Sequence, residues 1–254
     1  MNQPKPALAR GRQQLMVEHS HKRVRIYLHG QLVADTTRPL LVWEKPYYPT
    51  YYLPAADVAA QLVATGRTDR APRLGELEVL DVIAGDATAP GAAARPLDPP
   101  DARLRETVRL EWSAMSLWLE EDEPVYVHPR DPYTRIDILA SSRHVRIELD
   151  QVVLAESGRP TILFETGLPP RYYLPPSDVR LDLLRPNEHH TGCPYKGTAS
   201  YWTVEIGGTP YENLVWTYRA PLPESGKIAG LLCFYTERVD LYLDGQRQAR
   251  PGTG

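Results

Sequence analysis

Cysteine is nearly absent: the 254-residue chain has two, Cys193 and Cys233. Two thiols this far apart do not make a disulfide scaffold, and no Cys-x-x-Cys pair is present to begin a structural zinc site. No run approaches the roughly 18 apolar residues of a membrane-spanning helix. The opening MNQPKPALARGRQQ lacks the apolar core of a secretory signal. Basic excess is missing too: 29 Lys and Arg stand dispersed against 32 Asp and Glu, a formal net charge of −3. That balance argues against nucleic acid or an anionic membrane as partner. The expectation is a cytoplasmic protein with free thiols.

Phenylalanine is also scarce, with two residues, whereas there are 25 prolines and 15 tyrosines. Such a composition suits many short strands joined by stiff turns. Sliding the chain on itself aligns VRIYLHGQLVADTTRPLLVWEKPYYPTYYLPAADV, from Val24, with VRIELDQVVLAESGRPTILFETGLPPRYYLPPSDV, from Val145, without a gap at about 15 of 35 positions. Further on, RLEW ending at Trp112 is matched with NLVW ending at Trp216, and YTRIDIL from Tyr133 with YTERVDLYL from Tyr235. A third echo, RVDLYLDGQ against RVRIYLHGQ, makes the last strand of a unit resemble its first, as neighbours in one sheet would.

This organisation predicts an N-terminal tail over 1–20, a first unit over 21–140 and a second over 141–254, with almost no linker. The Ala/Pro-rich run 84–105 has no period and reads as a surface insertion of a degenerate first unit. Alternation in VRIYL and VRIEL and short apolar runs such as LLVWE and TILFE are strand signals. LPAADVAAQLVATG and PPSDVRLDLLRP, with apolar spacing of three to four, predict one helix of two or three turns in each unit.

RPTILFETGLPPRYYLPPSDV, CPYKGTASYW, KIAGLLCFYTERVDLYLDG and VHPRDPYTRIDIL together resemble the domain of unknown function 427 family in a tandem two-copy form. They cover about a quarter of the chain. The resemblance implies a mainly β fold: two homologous β-tent-like units of short antiparallel strands, each with a short helix. That shape is related to methionine sulfoxide reductase B and the ligand-binding domain of cereblon. It implies no secure activity. A nucleotidyltransferase reading finds little support in the residues, since there is no Gly-Ser phosphate loop and no Asp-x-Asp pair to grip metal ions, and the nearest acidic pair, Glu148 and Asp150, reads as the solvated side of a strand.

Two stretches carry candidate chemistry. In NEHHTGCPYKGTASYW, Cys193 is a candidate nucleophile if a cation lowers its pKa, with packing as the plain alternative. Lys196 beside Gly197 could offer a cation to a carboxylate or phosphate, with Tyr195 beside it, or be an ordinary surface lysine. Adjacent His189 and His190 on an extended segment point oppositely, which disfavours a metal site. In HPRDPY, prolines hold His128, Arg130, Asp131 and Tyr133 in fixed directions. Arg130 is a candidate anion clamp and His128 a candidate proton carrier, or Arg130 and Asp131 form a structural ion pair. Arg171 and Tyr172 are supporting candidates. CPYKG is read as private to the second unit and HPRDPY to the first.

The expectation is therefore a composite small-molecule site between the units, taking a polar or anionic metabolite, with no cofactor. It would serve either a metal-independent enzyme or a non-catalytic ligand-binding or interaction module. Edge strands leave room for a homodimer.

Overall fold

A computed structural model describes residues 15–45 and 48–251. The chain divides after Asp131 into two units. In the first, the strands are β1 (Val17–His19), β2 (Val24–Leu28), β3 (Gln31–Thr36), β4 (Leu40–Val42), β5 (Thr50–Pro54) and β6 (Gln61–Ala71). They continue with β7 (Gly75–Ala84), β8 (Ala87–Pro96), β9 (Thr107–Leu110), β10 (Leu117–Glu120) and β11 (Glu123–Pro124). In the second they are β12 (Ile136–Ala140), β13 (Val145–Leu149), β14 (Val152–Ser157), β15 (Thr161–Glu165), β16 (Arg171–Leu174) and β17 (Leu184–Cys193). β18 (Gly197–Ile206), β19 (Thr209–Thr217), β20 (Leu232–Phe234), β21 (Asp240–Leu243) and β22 (Gln246–Arg247) complete it.

Each unit has a seven-stranded and a four-stranded antiparallel sheet. The orders are β1-β4-β5-β9-β8-β7-β6 with β11-β10-β2-β3 in the first, and β12-β15-β16-β20-β19-β18-β17 with β14-β13-β21-β22 in the second. Strand for strand, these are the same topology. The fold is mainly β and duplicated, as the repeat predicts.

Alternation explains the four-stranded sheets. In β13, Val145, Ile147 and Leu149 are buried and Arg146 and Glu148 are half-buried. The buried set packs against Leu174, Val204, Leu214 and Phe234 from the seven-stranded sheet of the same unit. Each such side chain is worth about 1.5–3 kcal/mol of apolar burial. β21 lies beside β13, and β10 beside β2. The echo between a unit's first and last strands is therefore a pairing in one sheet.

Several expectations change. β12 pairs with β15, so it belongs to the second unit and the join precedes Ile136 rather than falling near Ala140. Its counterpart is β1, which pairs with β4; residues 17–19 of the expected tail are thus strand, and 1–14 lie outside the described residues. YTRIDIL and YTERVDLYL accordingly occupy different sheets.

The run 84–105 is not an insertion. Its residues Ala87–Pro96 are β8, paired with β7 and β9, and the counterpart of that strand is β19. The match of RLEW with NLVW pairs β9 with β19, which are not counterparts, and so leaves β8 without one.

The predicted helices are single 3-10 turns at Ala55–Asp57, Pro176–Asp178 and Leu181–Leu183, followed by the long strands β6 and β17. The physical reason lies in the caps. Pro54 and Pro175 stand at the N-caps and offer no side-chain acceptor. The aspartates are committed elsewhere: Asp57 accepts from Thr36 Oγ1 at 2.6 Å and Arg38 Nη2 at 2.8 Å. Asp178 accepts from Ser157 Oγ at 2.7 Å and pairs with Arg159. The same knot is tied in both copies. No helix among the described residues is long and apolar enough to cross a membrane.

Candidate functional site

The CPYKG segment closes the β17–β18 hairpin. Cys193 stands opposite Gly197, whose φ of +93° admits the turn that a side chain would strain. Lys196 points inward. Its Nζ lies 2.6 Å from Glu165 Oε2, and both side chains are only 11% exposed. The turn is tied down further, since Leu222 N donates to Lys196 O at 3.1 Å and Ser225 Oγ to Tyr195 O at 3.0 Å. Cys193 is half-buried against a cluster that includes Tyr173, Tyr201, Trp216 and Tyr218. Burial pushes the Tyr218 phenol up, with the neighbouring thiol adding to it. Cys233 is wholly buried in the same cluster, and burial pushes its thiol up.

Arg171 is committed to Glu237 through two bonds of 2.8 and 2.7 Å, and its guanidinium lies over the Trp216 and Tyr235 rings. Tyr172 is buried in the core between the two sheets of its unit, on the opposite face from Tyr173. The other candidates are distributed between the units. Tyr133 is half-buried in the second, and His128, Arg130 and Asp131 belong to the first. Asp131 is buried and accepts from Trp43 Nε1 at 3.1 Å; Arg130 is half-buried and has partners of its own.

His128 is half-buried and stacks on Tyr48 with centroids 4.1 Å apart. Burial holds its imidazole below the usual histidine range. It follows a tight turn in which Tyr126 O accepts from His128 N at 2.9 Å across Val127, whose φ is +74°. A β-branched residue in that region is strained, which marks the turn as held by its surroundings.

Comparing the units by sheet register gives a site that neither motif suggests. Ala71 stands opposite Gly75 as Cys193 does opposite Gly197. APRLG in the first unit is therefore the counterpart of CPYKG, with Leu74 in the place of Lys196, so that hairpin is not private to the second unit. By the same register Val79 corresponds to Tyr201, Ala94 to Trp216 and Arg109 to Cys233. Two large rings of the second unit thus become a valine and an alanine in the first, the small Cys233 becomes an arginine, and Tyr235, two residues beyond Cys233 and packed on Trp216 with centroids 4.6 Å apart, is replaced by Glu111.

The space left is a cavity of about 370 Å³ bounded by Arg67, Asp69, Val79, Ala94, Arg109 and Glu111. Ala92, Ala93 and Ala94 are buried beneath it. Gly91 admits the Arg67 guanidinium: a Cβ there would sit 2.8 Å from Arg67 Nη2. No ion pair or side-chain hydrogen bond engages that guanidinium among the described residues.

Arg109 and Glu111 also line a neighbouring cleft of about 150 Å³ with Tyr48, Trp112, Trp118 and His128. Arg109 is held at 2.8 Å by Glu44, whose side chain is 8% exposed. Glu44 Oε1 is buried without a hydrogen-bond partner, as is the Tyr52 hydroxyl. Burial pushes that phenol up, and the Glu44 carboxylate adds to the rise. Orphaned buried acceptors are uncommon and mark a place where a donor fits.

A profile of the family described as Domain of unknown function (DUF427) matches residues 16–120 and again 137–245. The chain belongs to the DUF427 family. Its two DUF427 copies coincide with the two structural units, and each match begins within one residue of the first edge strand of its seven-stranded sheet. No curated protein matches the chain. Within this DUF427 protein no three His, Cys, Asp or Glu side chains among the described residues gather as a metal set.

Proposed function

We propose that the protein binds a small polar metabolite carrying an anionic group, and that the ligand occupies the alanine-lined cavity of the first unit. One observation carries the proposal: this cavity lies where the second copy of the same fold is filled by Tyr201, Trp216 and Tyr235. A duplicated core loses several kcal/mol when such rings are replaced by small side chains. An unengaged guanidinium at Arg67 facing carboxylates at Asp69 and Glu111 suits a ligand with both an acidic group and hydrogen-bond donors. Cys193 and Lys196, committed to packing and to Glu165, are assigned to the scaffold.

A catalytic reading draws on His128, which lines the adjoining cleft with Arg109 and Glu111. An imidazole kept neutral by burial is suited to accept a proton at neutral pH, without a metal.

The test is a thermal-shift survey of small carboxylates and phosphates against the wild type, Arg67→Gln and Ala94→Trp. A ligand at about 100 times its Kd should stabilise the wild type by about 2.7 kcal/mol. Ala94→Trp, which restores the ring of the sister unit, should abolish the shift, and Arg67→Gln, at an exposed position, should weaken it. An equal shift in all three proteins would refute the site.

A further inference from the structure

A second cleft in the first unit is lined by arginine. Arg38, Arg95, Arg103 and Arg105, with His19, border a cavity of about 650 Å³. It shares no lining residue with the alanine-lined cavity. Carboxylates steady three of the guanidiniums from one side: Asp57 at 2.8 Å from Arg38, Asp101 at 2.5 Å from Arg103, and Glu78 at 3.7 Å from Arg95. These pairs orient the planar forks and leave further N–H groups on each. Arg95 Nε is buried with no hydrogen-bond partner, and no ion pair or side-chain hydrogen bond engages Arg105 or His19 among the described residues. Glu106 is the one carboxylate on the lining.

The fold requires only part of this charge, the corner pair of Arg38 with Asp57, which recurs as Arg159 with Asp178. By sheet register His19 corresponds to Ala140 and Arg95 to Thr217 in the second unit, where the same topology stands without them. Gathering guanidiniums around one opening raises the energy of the empty protein through like-charge repulsion, and a buried donor without an acceptor adds to it. A multiply charged oxyanion entering the cleft offsets the repulsion, because the N–H groups left on the arginines match pairs of its oxygens.

We propose that this cleft is a binding site for a compact anion of the phosphate class carrying two or more charges. A soluble phosphate and a phosphorylated lipid headgroup present the same oxygens; the formal net charge of −3, with no basic excess to hold the chain on an anionic membrane, favours the soluble one.

Calorimetric titration of the full chain with inorganic pyrophosphate, at ionic strength held constant with NaCl, tests this. The wild type should show saturable one-to-one binding, weakened at least about tenfold in Arg95→Gln/Arg105→Gln. Circular dichroism should show the fold retained. Arg185→Gln, an exposed arginine of the second unit, should bind as the wild type does. Absence of saturable heat in the wild type, undiminished affinity in the double variant, or equal weakening in Arg185→Gln would each overturn the proposal. Phosphatidylcholine vesicles doped with a phosphoinositide separate the two sources. Sedimentation of the chain with them that pyrophosphate does not displace would overturn assignment to a soluble anion.

Discussion

Replacing Lys196 by alanine should destabilise the second unit without touching a ligand site. The lysine and Glu165 are 2.6 Å apart with 11% of each side chain exposed, so removing the cation strands a carboxylate where water scarcely reaches. Breaking a buried pair from one side costs about 3 kcal/mol. For a unit of this size that corresponds to roughly 10 °C in melting temperature. Removing both charges should cost far less: Lys196→Leu/Glu165→Leu is expected within about 1 kcal/mol of the wild type, since apolar replacement of a buried pair is often neutral. The first unit already carries Leu74 at the matching hairpin position, fully buried. Urea unfolding of Lys196→Leu, Glu165→Leu and the double variant closes the cycle; with each single costing about 3 kcal/mol and the double at most about 1 kcal/mol, the coupling should be about 5 kcal/mol. A Lys196→Ala protein within about 1 kcal/mol of the wild type would refute the scaffold role. Lost ligand binding at unchanged stability would return the lysine to the functional site.

Other outcomes are equally specific. In the β13–β14 turn Gln151 has φ +65°, where the first copy places Gly30 at +83°; Gln151→Gly should stabilise by about 0.5 kcal/mol in urea unfolding, because the left-handed region strains a side chain. The Asp178 carboxyl is held down to about 2, chiefly by the Arg159 hydrogen bond and then by Ser157 and Ser177. A carboxyl lowered on folding stabilises above its unfolded pKa, so this contribution should fade as pH falls from about 4 towards 2. Unfolding midpoints across that range should be flatter for Asp178→Asn. Iodoacetamide should modify half-buried Cys193 in the native protein and reach buried Cys233 only in denaturant, giving one and then two adducts by intact mass.

Much of the fold was legible because the repeat is carried by positions that the topology must keep. Val24, Ile26 and Leu28 recur as Val145, Ile147 and Leu149, since a strand with one buried face admits only alternation. The corner pairs Arg38–Asp57 and Arg159–Asp178 recur because both copies turn there in the same way. Three-to-four apolar spacing in LPAADVAAQLVATG predicts a helix but says nothing of its capping. Pro54 supplies no cap, and pairing with β7 holds the following residues extended. Motifs drew attention to Cys193 and Lys196 because they are chemically conspicuous, whereas the cavity is made by Val79 and Ala94, which are not. A signal was present in the Gly-Ala-Ala-Ala of β8, but it becomes visible only when that strand is set against β19.

By itself, the sequence determined the duplication, the β class, the alternating core and the family, because each is written in local spacing or in residues repeated along the chain. Tertiary structure decided which face each residue occupies and which residue of one copy answers which of the other. It showed that the Glu44 carboxylate is met by Arg109 across the sheet, whereas its counterpart Glu165 is met by Lys196 from a hairpin. Such exchanges are non-local: they depend on strand register, which is set only when strands pair with a face of the sheet buried against the core.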